Sequence, residues 1–437
     1  MTHYVLREWE RLPIGDGAGE IVPSHASSLA AAAQQSTFAR RDGGGVLDYG
    51  RQYLRARGVV GIVAGEGCSL EILPKIDALE TDSALRERLV HMLDVAFDLK
   101  IDLGGTSRAQ WQSETLLDVL IRAFCEKLAN ALRKGMPRAY STLEDDLPAL
   151  RGGLNVTRQF TRHAVNPSRL ACRFDEFLPD IALNQIMKAT VLHLSHHARS
   201  FAVQQDLREL VFLYAEISDV PVAMLPWDRV RLDRTNDRWQ GLLALARLFL
   251  EQKFQSTTVG AGQGAALLFN MAALFENYIG RLTRRACAGT ALDVRLQGGR
   301  KYCLTDQATG RQLFQTKPDI IIQRNGVVTH IIDTKWKQIE AQIDDPKRGV
   351  SQADVYQMMA YAQLYRAPRL TLLYPQPNAQ SARDGVHAAF DMGEHAVLEI
   401  ASVALDRSAT EICSQLSRLV EGEKSSTSLA LAYPMPR

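Results

Sequence analysis

Residues 317–337, KPDIIIQRNGVVTHIIDTKWK, place two aspartates and a lysine around two short apolar runs. Asp319 begins the first run and Asp333 ends the second, and Lys335 shares a strand face with Asp333 because side chains alternate with a period of two. Mg²⁺ binds oxygen ligands and keeps several waters, so two carboxylates and a substrate phosphate suit it. A bound metal lowers the pKa of water, and an ammonium group stabilises charge that develops on the phosphate. The segment predicts phosphodiester hydrolysis with Asp319 and Asp333 as ligands of Mg²⁺ or Mn²⁺.

The turn between the two apolar runs decides whether the carboxylates converge. A two-residue Asn-Gly loop would pair Asp319 with Ile332 and turn Asp333 to the opposite face. A three-residue loop with Gly326 in the left-handed region would pair Asp319 with Ile331 and bring Asp333 to the same face. Both loops accept this sequence. We predict the three-residue loop, or a bulge with the same effect, because only then do the two carboxylates meet.

Three further side chains could complete such a site. Gln357 and Tyr361 are four residues apart on a predicted helix, hence on one face, where they could contact phosphate or the catalytic lysine. Glu276 lies on the helix that precedes the two strands and could supply a third carboxylate. Each also has a purely structural explanation, as part of an ordinary amphipathic helix or as a solvated glutamate. An Asp-x-Lys triplet alone is common, but Pro-Asp, strand, turn, strand and Asp-x-Lys in this order is much rarer.

The rest of the chain indicates three parts that would position this segment. Residues 1–80 read as a β-rich module, with a hairpin around Gly65–Gly67 and a mobile Gly-, Ala- and Ser-rich loop over 15–45. Residues 81–256 show apolar spacing typical of helices, including 184–195 and 238–254. In residues 257–437, a Gly-rich loop leads into a helix that starts near Leu267, followed by two strands, a helix, a strand, another strand near 396–403 and a final helix. That order indicates an α/β domain.

Length and composition narrow the class of protein to which this chain can belong. A length of 437 residues predicts two or three domains, and 46% hydrophobic with 23% charged residues is ordinary for a globular protein. The net charge is +2, so any DNA-binding charge must be local or come from a partner. Six scattered cysteines without Cys-x-x-Cys spacing indicate free thiols in a reducing cytosol. Without a signal-like or membrane-length apolar run, we expect a cytoplasmic protein with no membrane contact.

Other polar and aromatic clusters have weaker claims to function. His193, His196 and His197 could form a metal site, but a cluster on a helix surface is favoured because no matching acidic or cysteine set accompanies them. Trp336 is better explained as a packing anchor than as a base-stacking residue. A basic run could contact phosphates or simply complement the dipole at the end of its helix; it comprises Arg281, Arg284 and Arg285.

As a set, these motifs resemble the PD-(D/E)xK nuclease superfamily in its RecB-like branch: Pro318-Asp319, then Asp333-x-Lys335, then Gln357-x-x-x-Tyr361. The wider chain resembles the McrC family, the nuclease subunits of McrBC modification-dependent restriction systems. This likeness includes ILPKI, LRGGLNV, LNQIMKA and LLFNMAALFENYI.

The resemblance implies a restriction-endonuclease-like α/β domain with Asp319 and Asp333 as metal ligands, Lys335 as the catalytic lysine, and Gln357 and Tyr361 in support. It also implies a partner, a McrB-like AAA+ GTPase hexamer that recognises methylated cytosine in double-stranded DNA. The N-terminal module would contact that ring and stimulate its GTP hydrolysis. This chain has no G-x-x-x-x-G-K-[ST] motif of its own, so nucleotide-driven movement must come from such a partner.

Three functions follow as hypotheses. The leading one is a Mg²⁺-dependent endonuclease subunit that cleaves methylated DNA together with the GTPase. One alternative is a regulatory, GTPase-activating subunit whose nuclease site is idle. The other is a stand-alone RecB-like repair exonuclease, against which the long non-nuclease half of the chain argues.

Overall fold

The computed structural model describes residues 2–34, 45–76, 80–101, 114–164, 168–232, 236–252, 254–259, 262–337, 350–376, 385–393 and 396–422. Two compact units divide the chain between them. The first comprises Met1–Asp98, Thr258–Gly264 and Leu268–Arg437, and the second comprises Leu99–Thr257 and Ala265–Leu267. The N-terminal and C-terminal parts of the chain therefore belong to one unit. Both units combine helices and sheets, so the protein is a mixed α/β protein, as expected.

The N-terminal part of the first unit is built on a β-sheet. Its elements are β1 (Thr2–Arg7), β2 (Arg11–Pro13), α1 (Pro23–Gln34), β3 (Leu47–Tyr49), β4 (Tyr53–Ala56), β5 (Val59–Gly65), β6 (Cys68–Leu73) and α2 (Asp82–Phe97). β5 and β6 form an antiparallel hairpin closed at Gly65 and Cys68, which confirms the hairpin expected there. β1 runs parallel to β6, and β2, β4 and β3 form a separate small antiparallel sheet.

The mobile loop expected over 15–45 is wrong for much of its length, because Pro23–Gln34 is a helix. Its sequence, PSHASSLAAAAQ, begins with proline, whose fixed φ suits the first helical turn. It is also rich in alanine, the strongest helix former. Leu29, Ala32 and Ala33 are buried, so packing adds to this propensity. Residues 35–44 of the expected loop lie outside the described residues.

A buried ion pair ties α2 to this sheet. Glu71 on β6 accepts hydrogen bonds from Arg86 Nε at 2.7 Å and from Arg86 Nη2 at 2.6 Å, and both side chains are buried. Burial by itself would raise the pKa of Glu71, but the hydrogen bonds from Arg86 and His3 hold it below its ordinary value. The stabilisation by the pair is therefore present at neutral pH and is lost as pH falls through the lowered pKa.

Replacing Arg86 with methionine is expected to lower the free energy of unfolding by about 3–5 kcal/mol, because Glu71 is left buried and unpaired. Denaturant unfolding of the full chain measures this loss. The matched control is Arg57→Met, which breaks an exposed pair with Asp48 and should cost less than about 1 kcal/mol. Equal losses in the two variants would contradict the special role of the buried pair.

The second unit is mainly helical, with one small sheet. Its elements are α3 (Leu116–Arg133), β7 (Ala139–Leu147), β8 (Gly153–Leu154), α4 (Val156–Arg162), β9 (Leu170–Leu178), α5 (Ala182–Ser195), α6 (Phe201–Leu213) and α7 (Gln240–Arg247), with a π-helical turn at Leu248–Gln252 and 3₁₀ turns at Val222–Met224, Trp227–Arg229 and Asp237–Trp239. The helix expected over 184–195 is confirmed.

The mainly helical character expected for this region is present, but one small sheet was not expected and one expected helix is wrong. The antiparallel sheet β7-β9-β8 lies where helices were expected. The sequence of β7, AYSTLEDDL, is polar and mostly exposed. It therefore lacks the alternating buried apolar residues that predict a strand. The helix expected over 238–254 is divided into 3₁₀, α and π turns, and β10 (Phe254–Val259) begins within it.

The C-terminal part of the first unit holds the predicted strands. Its elements are β11 (Gly262–Asn270), α8 (Met271–Ala286), β12 (Leu292–Leu296), β13 (Tyr302–Thr305), β14 (Gln312–Gln315), β15 (Ile320–Arg324), β16 (Val327–Thr334), α9 (Gln352–Tyr365), β17 (Arg369–Gln376), β18 (Gly385–Met392), β19 (Ala396–Ala404) and α10 (Ala409–Glu421). The order of the main sheet is β12-β15-β16-β17-β19-β18, and β16, β17 and β19 run parallel. The elements of the expected order (two strands, helix, strand, strand and helix) are all present, but β12, β13, β14 and β18 were not expected.

The helix expected to start near Leu267 starts later. Residues through Asn270 belong to β11, and α8 begins at Met271 with the Asn270 side chain accepting a hydrogen bond from Ala273 N. The apolar residues of β11 and α8 form one continuous run, so apolar spacing alone did not separate strand from helix. The Gly-rich loop expected before the helix is largely occupied by β10 and β11.

Candidate active site

The β15–β16 hairpin places both aspartates on one face of the main sheet. Its turn is a two-residue Asn-Gly loop, with Asn325 at φ 53° and Gly326 at φ 79°, so the predicted three-residue loop is wrong. The alternative, a bulge with the same effect, is confirmed: the register shifts by one residue at Thr329. Beyond the bulge, Ile320 pairs with Ile332, and continuing that register brings Asp319 opposite Asp333.

Asp319 is held by the residue between Asp333 and Lys335. Its Oδ2 accepts hydrogen bonds from Thr334 N and from Thr334 Oγ1, both at 2.8 Å. Burial and the nearby carboxylate of Glu276 raise the pKa of Asp319 to about 6, although the two Thr334 donors oppose the rise. The two Thr334 donors thus fix the orientation of the Asp319 carboxylate. Because burial leaves this carboxylate poorly solvated, a bound cation would stabilise its charge.

Asp333 at the end of β16 and Lys335 just after that strand form a close pair. The Lys335 Nζ lies 2.6 Å from Asp333 Oδ2, and only 1% of Asp333 is exposed. Burial and the charge of Asp319 raise the pKa of Asp333 to about 6 despite the lysine. Burial lowers the pKa of Lys335, but the carboxylates of Asp333 and Asp354 outweigh this and raise it, so the ammonium is charged at neutral pH.

Gln357 and Tyr361 reach this pair from α9, as their spacing predicts. Lys335 Nζ donates to Gln357 Oε1 at 2.9 Å, and Gln357 Nε2 donates to Tyr361 Oη at 2.7 Å and to Asp333 Oδ1 at 3.4 Å. Burial raises the pKa of Tyr361, so its hydroxyl stays protonated. The amide of Gln357 therefore bridges the lysine, the aspartate and the tyrosine.

Under the nuclease hypothesis drawn from the sequence, replacing Gln357 with leucine is expected to slow DNA cleavage by about 10–100-fold, because residues that orient metal ligands through hydrogen bonds typically contribute that much. Single-turnover cleavage by the assembled complex measures the effect. The matched control is Tyr361→Phe, which removes one hydroxyl and leaves the contacts of Gln357 to Lys335 and Asp333, and should cost less than about tenfold. A Gln357→Leu variant as fast as the parent would show that the bridge is not used.

One charged residue of the cluster was missed from the sequence. Asp354 lies 3.6 Å from Lys335 Nζ through its Oδ1 and 2.5 Å from Lys337 Nζ through its Oδ2. Hydrogen bonds from Lys337 and Ser351 outweigh burial and lower its pKa. Its spacing of three residues from Gln357 places it on the same face of the helix, but that spacing alone does not show that it contacts the two lysines.

Glu276 lies close to Asp319 but is held by another residue. Its Oε1 accepts a hydrogen bond from Gln297 Nε2 at 2.7 Å, and its charge contributes to the raised pKa of Asp319. Gln297 N in turn donates to the Asp319 carbonyl oxygen at 2.8 Å. Glu276 therefore borders the site on the Asp319 side, away from the bridge formed by Gln357.

The donor set suits a hard cation. In the part of the chain that the structure describes, no three His, Cys, Asp or Glu side chains converge closely enough to hold an ion by themselves. Mg²⁺ is usually bound through one or two carboxylates, with waters and substrate phosphates completing its shell. Two desolvated carboxylates with raised pKa values, on one face and beside a charged lysine, fit that requirement.

The weaker candidates have structural roles. Trp336 Nε1 donates to Glu8 Oε2 at 2.9 Å, and the Trp336 ring lies 5.3 Å from that of Phe275, which confirms a packing role. Arg284 Nε donates to the Val294 carbonyl oxygen at 3.3 Å.

The histidine cluster lies at the end of α5 and beyond it. The rings of His193 and His197 are 4.9 Å apart and partly buried, and burial lowers the pKa of each to about 4. These two rings are therefore neutral at physiological pH. The cluster is accordingly not wholly solvated, in contrast to the helix-surface cluster that was expected.

Fold and site together define a mixed α/β protein in which carboxylates, a lysine and a glutamine converge at one end of a partly parallel sheet. A profile of the family described as "McrBC 5-methylcytosine restriction system component" matches residues 54–375. The chain therefore belongs to that family, as the sequence motifs indicated. The matched stretch includes Asp319, Asp333, Lys335, Gln357 and Tyr361.

Solved structures share the fold. A chain in a half-complex from a tetradecameric assembly of Thermococcus gammatolerans McrB AAA+ hexamers with bound McrC is similar with a TM-score of 0.71 and 20% identity, over 96% of this chain and all of that one. A chain in the Thermococcus gammatolerans McrBC complex is similar with a TM-score of 0.54 and 23% identity, over 66% of this chain and 88% of that one. A search of curated proteins gave no match. Among the described residues, no helix has the length and apolar character needed to cross a bilayer.

Proposed function

We propose that this chain is the nuclease subunit of a McrBC-like restriction complex, a Mg²⁺-dependent endonuclease that cleaves methylated DNA with a McrB-like AAA+ GTPase hexamer whose GTP hydrolysis it stimulates. One observation carries the proposal: two desolvated carboxylates, Asp319 and Asp333, share a sheet face with Lys335, and a glutamine amide fixes the lysine. Membership of the family and the likeness to the Thermococcus chains support the restriction context.

Each side chain has a part in hydrolysis. Asp319 and Asp333 would hold the divalent cation, which when bound supplies positive charge to the phosphate and a more acidic water. Lys335 would orient the attacking water and offset charge that develops on the phosphate oxygens. Gln357 keeps Lys335 in place through its carbonyl oxygen while its amide nitrogen contacts Tyr361 and Asp333.

The domain around this site is the proposed PD-(D/E)xK domain of the RecB-like branch. Asp319 immediately precedes β15, and Asp333 and Thr334 end β16. Lys335 follows, and its backbone nitrogen donates to the Leu373 carbonyl oxygen of β17 at 2.9 Å. The helix α9 packs Met358, Tyr361 and Tyr365 into the core of this sheet. Local strand order and helix packing therefore bring the motif residues to one place.

The decisive experiment reconstitutes the chain with its AAA+ partner. Methylated and unmethylated plasmids are incubated with GTP and Mg²⁺, and cleavage is compared with GTP hydrolysis in the same reactions. Internal cuts in methylated plasmid that need partner, GTP and Mg²⁺ are the expected result. GTPase stimulation without any cut would favour the regulatory subunit with an idle site. Degradation from DNA ends by the chain alone would favour the stand-alone exonuclease.

A further inference from the structure

A two-stranded ribbon stands apart from the main sheet beside the candidate site. β13 and β14 pair only with each other, and the connection enters from Gln297 and returns to Asp319. Tyr302, Leu304 and Phe314 are 37%, 55% and 69% exposed. An isolated hairpin is only marginally stable in water, so a partner that covers part of these apolar side chains would stabilise it. The ribbon is therefore a candidate for contact with another molecule.

The root of the ribbon is fixed to the helix that carries Gln357. Thr316 N donates to the Lys301 carbonyl oxygen at 2.7 Å, which closes the two strands. The Tyr365 hydroxyl lies 2.8 Å from Thr316 Oγ1 and accepts a hydrogen bond from Lys301 N at 3.2 Å. Gly299 has φ +84°, and a Cβ added there would lie 2.4 Å from the Tyr365 ring. Tyr365 is one turn beyond Tyr361, so ribbon and site share one rigid support.

The ribbon is positively charged although the whole chain is close to neutral. Residues 299–318 contain four basic side chains and one acidic side chain, a net +3 against +2 for all 437 residues. Asp306, the acidic one, is engaged in the turn, where it accepts hydrogen bonds from Ala308 N and Thr309 N, both at 2.8 Å. Arg300 and Arg311 form no ion pair with any residue that the structure describes. Their charge is available to a polyanion.

Phe314 adds an independent indication. It has φ +56°, a conformation that is strained for a bulky side chain, and yet its ring is 69% exposed. The pairs on either side, Tyr302 with Gln315 and Leu304 with Leu313, keep the ladder in register around it. Strained residues of this kind cluster at active sites and ligand-binding sites.

We propose that the β13–β14 ribbon is a DNA-binding arm that lies in a groove of double-stranded DNA next to the phosphate held at Asp319 and Asp333. This inference rests on the proposed nuclease function. The major groove is roughly 12 Å wide and admits a two-stranded β-ribbon. In that position Arg300 and Arg311 contact backbone phosphates, while Tyr302 and Phe314 contact sugars and base edges. The fixed root then sets the distance between groove and cleavage site.

Two variants of the full chain test the arm, with a fluorescent duplex as the probe and equilibrium binding measured against salt concentration. Arg311→Ala is expected to reduce the slope of log affinity against log salt by about 0.9, the value for one lost phosphate contact. The matched control is Arg324→Ala, an exposed arginine at the opposite end of β15 from Asp319, which should leave the slope unchanged. Phe314→Gly removes the ring and relieves the strained φ, because glycine adopts positive φ freely.

The Phe314→Gly variant separates binding from folding. We expect about fivefold weaker duplex binding, a loss within the range for an aromatic contact to nucleic acid, together with unchanged or higher thermal stability. Unchanged duplex affinity in both variants would overturn the proposal. So would weakened association with the AAA+ partner at unchanged duplex affinity, which would assign the ribbon to a protein contact. Binding needs no cleavage, so a failure of the nuclease assignment would show separately, as cleavage that persists after Asp333→Asn.

Discussion

Replacing Asp333 with asparagine is expected to reduce DNA cleavage by at least about 10³-fold, as when a metal-dependent step loses a charged ligand. Stimulation of the partner's GTP hydrolysis should persist, because the substitution keeps the shape of a side chain that is only 1% exposed. The free energy of unfolding should not fall. Burial raises the pKa of Asp333 to about 6 even with Lys335 beside it, so its charge opposes folding at neutral pH.

Cleavage, GTPase stimulation and thermal stability of the Asp333→Asn variant are therefore measured together. The matched control is Asp293→Asn on β12, an exposed aspartate whose partner is Arg295, and it should cleave like the parent. Persistent cleavage by Asp333→Asn would refute the nuclease assignment. A joint loss of cleavage, GTPase stimulation and stability would instead show that the variant is misfolded, and Lys335→Met then tests the same site without removing a carboxylate.

The local sequence was sufficient to predict the elements whose apolar runs are short and have clear ends. The strands IIIQ and VVTHIID and the helix over Gln352–Tyr365 lie where their spacing predicts. Helix α10 carries a capping box between Ser408 and Glu411, a signal that marks a helix start in sequence. Because the motif residues sit at the ends of these well-marked strands and on one face of this helix, the candidate site could be assembled before the fold was known.

The pairing of strands in the sheet decided the turn of the β15–β16 hairpin, which the local sequence left open. The Asn-Gly turn with a bulge at Thr329 and the three-residue loop satisfy the same apolar pattern, so only the pairing could separate them. In the structure, β16 also pairs with β17, with Ile331 beside Leu370, and the bulge lets one strand satisfy both neighbours. The ribbon β13–β14 and the strand β7 were missed for a related reason: their residues are largely exposed, so no buried face imposes a period of two.

Asp354 is a residue of the site whose contacts the local sequence could not predict. It pairs with Lys335 and Lys337 although it lies nineteen positions after Lys335 in the chain, and residues 338–349 between them lie outside the described residues. Its neighbours became evident only when α9 was placed against the sheet. An acidic residue on a helix has many solvated alternatives, and sequence alone gives no reason to prefer this contact.

Stabilisation of the DNA-free chain by Mg²⁺ is expected to depend steeply on pH. Asp319 and Asp333 both have pKa values raised to about 6, chiefly by burial, so protons compete with a cation for them. If both protons must leave, affinity for Mg²⁺ falls by up to about 100-fold for each pH unit below 6. The folded-state pKa values of both aspartates lie above the ordinary 3.8. The free energy of unfolding of the metal-free chain therefore falls as pH rises from 3.8 to about 6, and this loss persists at higher pH. A bound cation offsets that cost where it is greatest.

Thermal unfolding with and without Mg²⁺ at about pH 7.5 and about pH 5 measures this dependence through mass action of a ligand on the folded state. The melting temperature should rise with Mg²⁺ at the higher pH and stay nearly constant at the lower pH. The double variant Asp319→Asn/Asp333→Asn should not respond at either pH, whereas Asp293→Asn/Asp306→Asn, which removes two aspartates outside the site, should respond like the parent. A response that is equal at both pH values, or one that survives in the first double variant, would place the cation elsewhere on the chain. The two desolvated carboxylates would then need another explanation for the stability they cost.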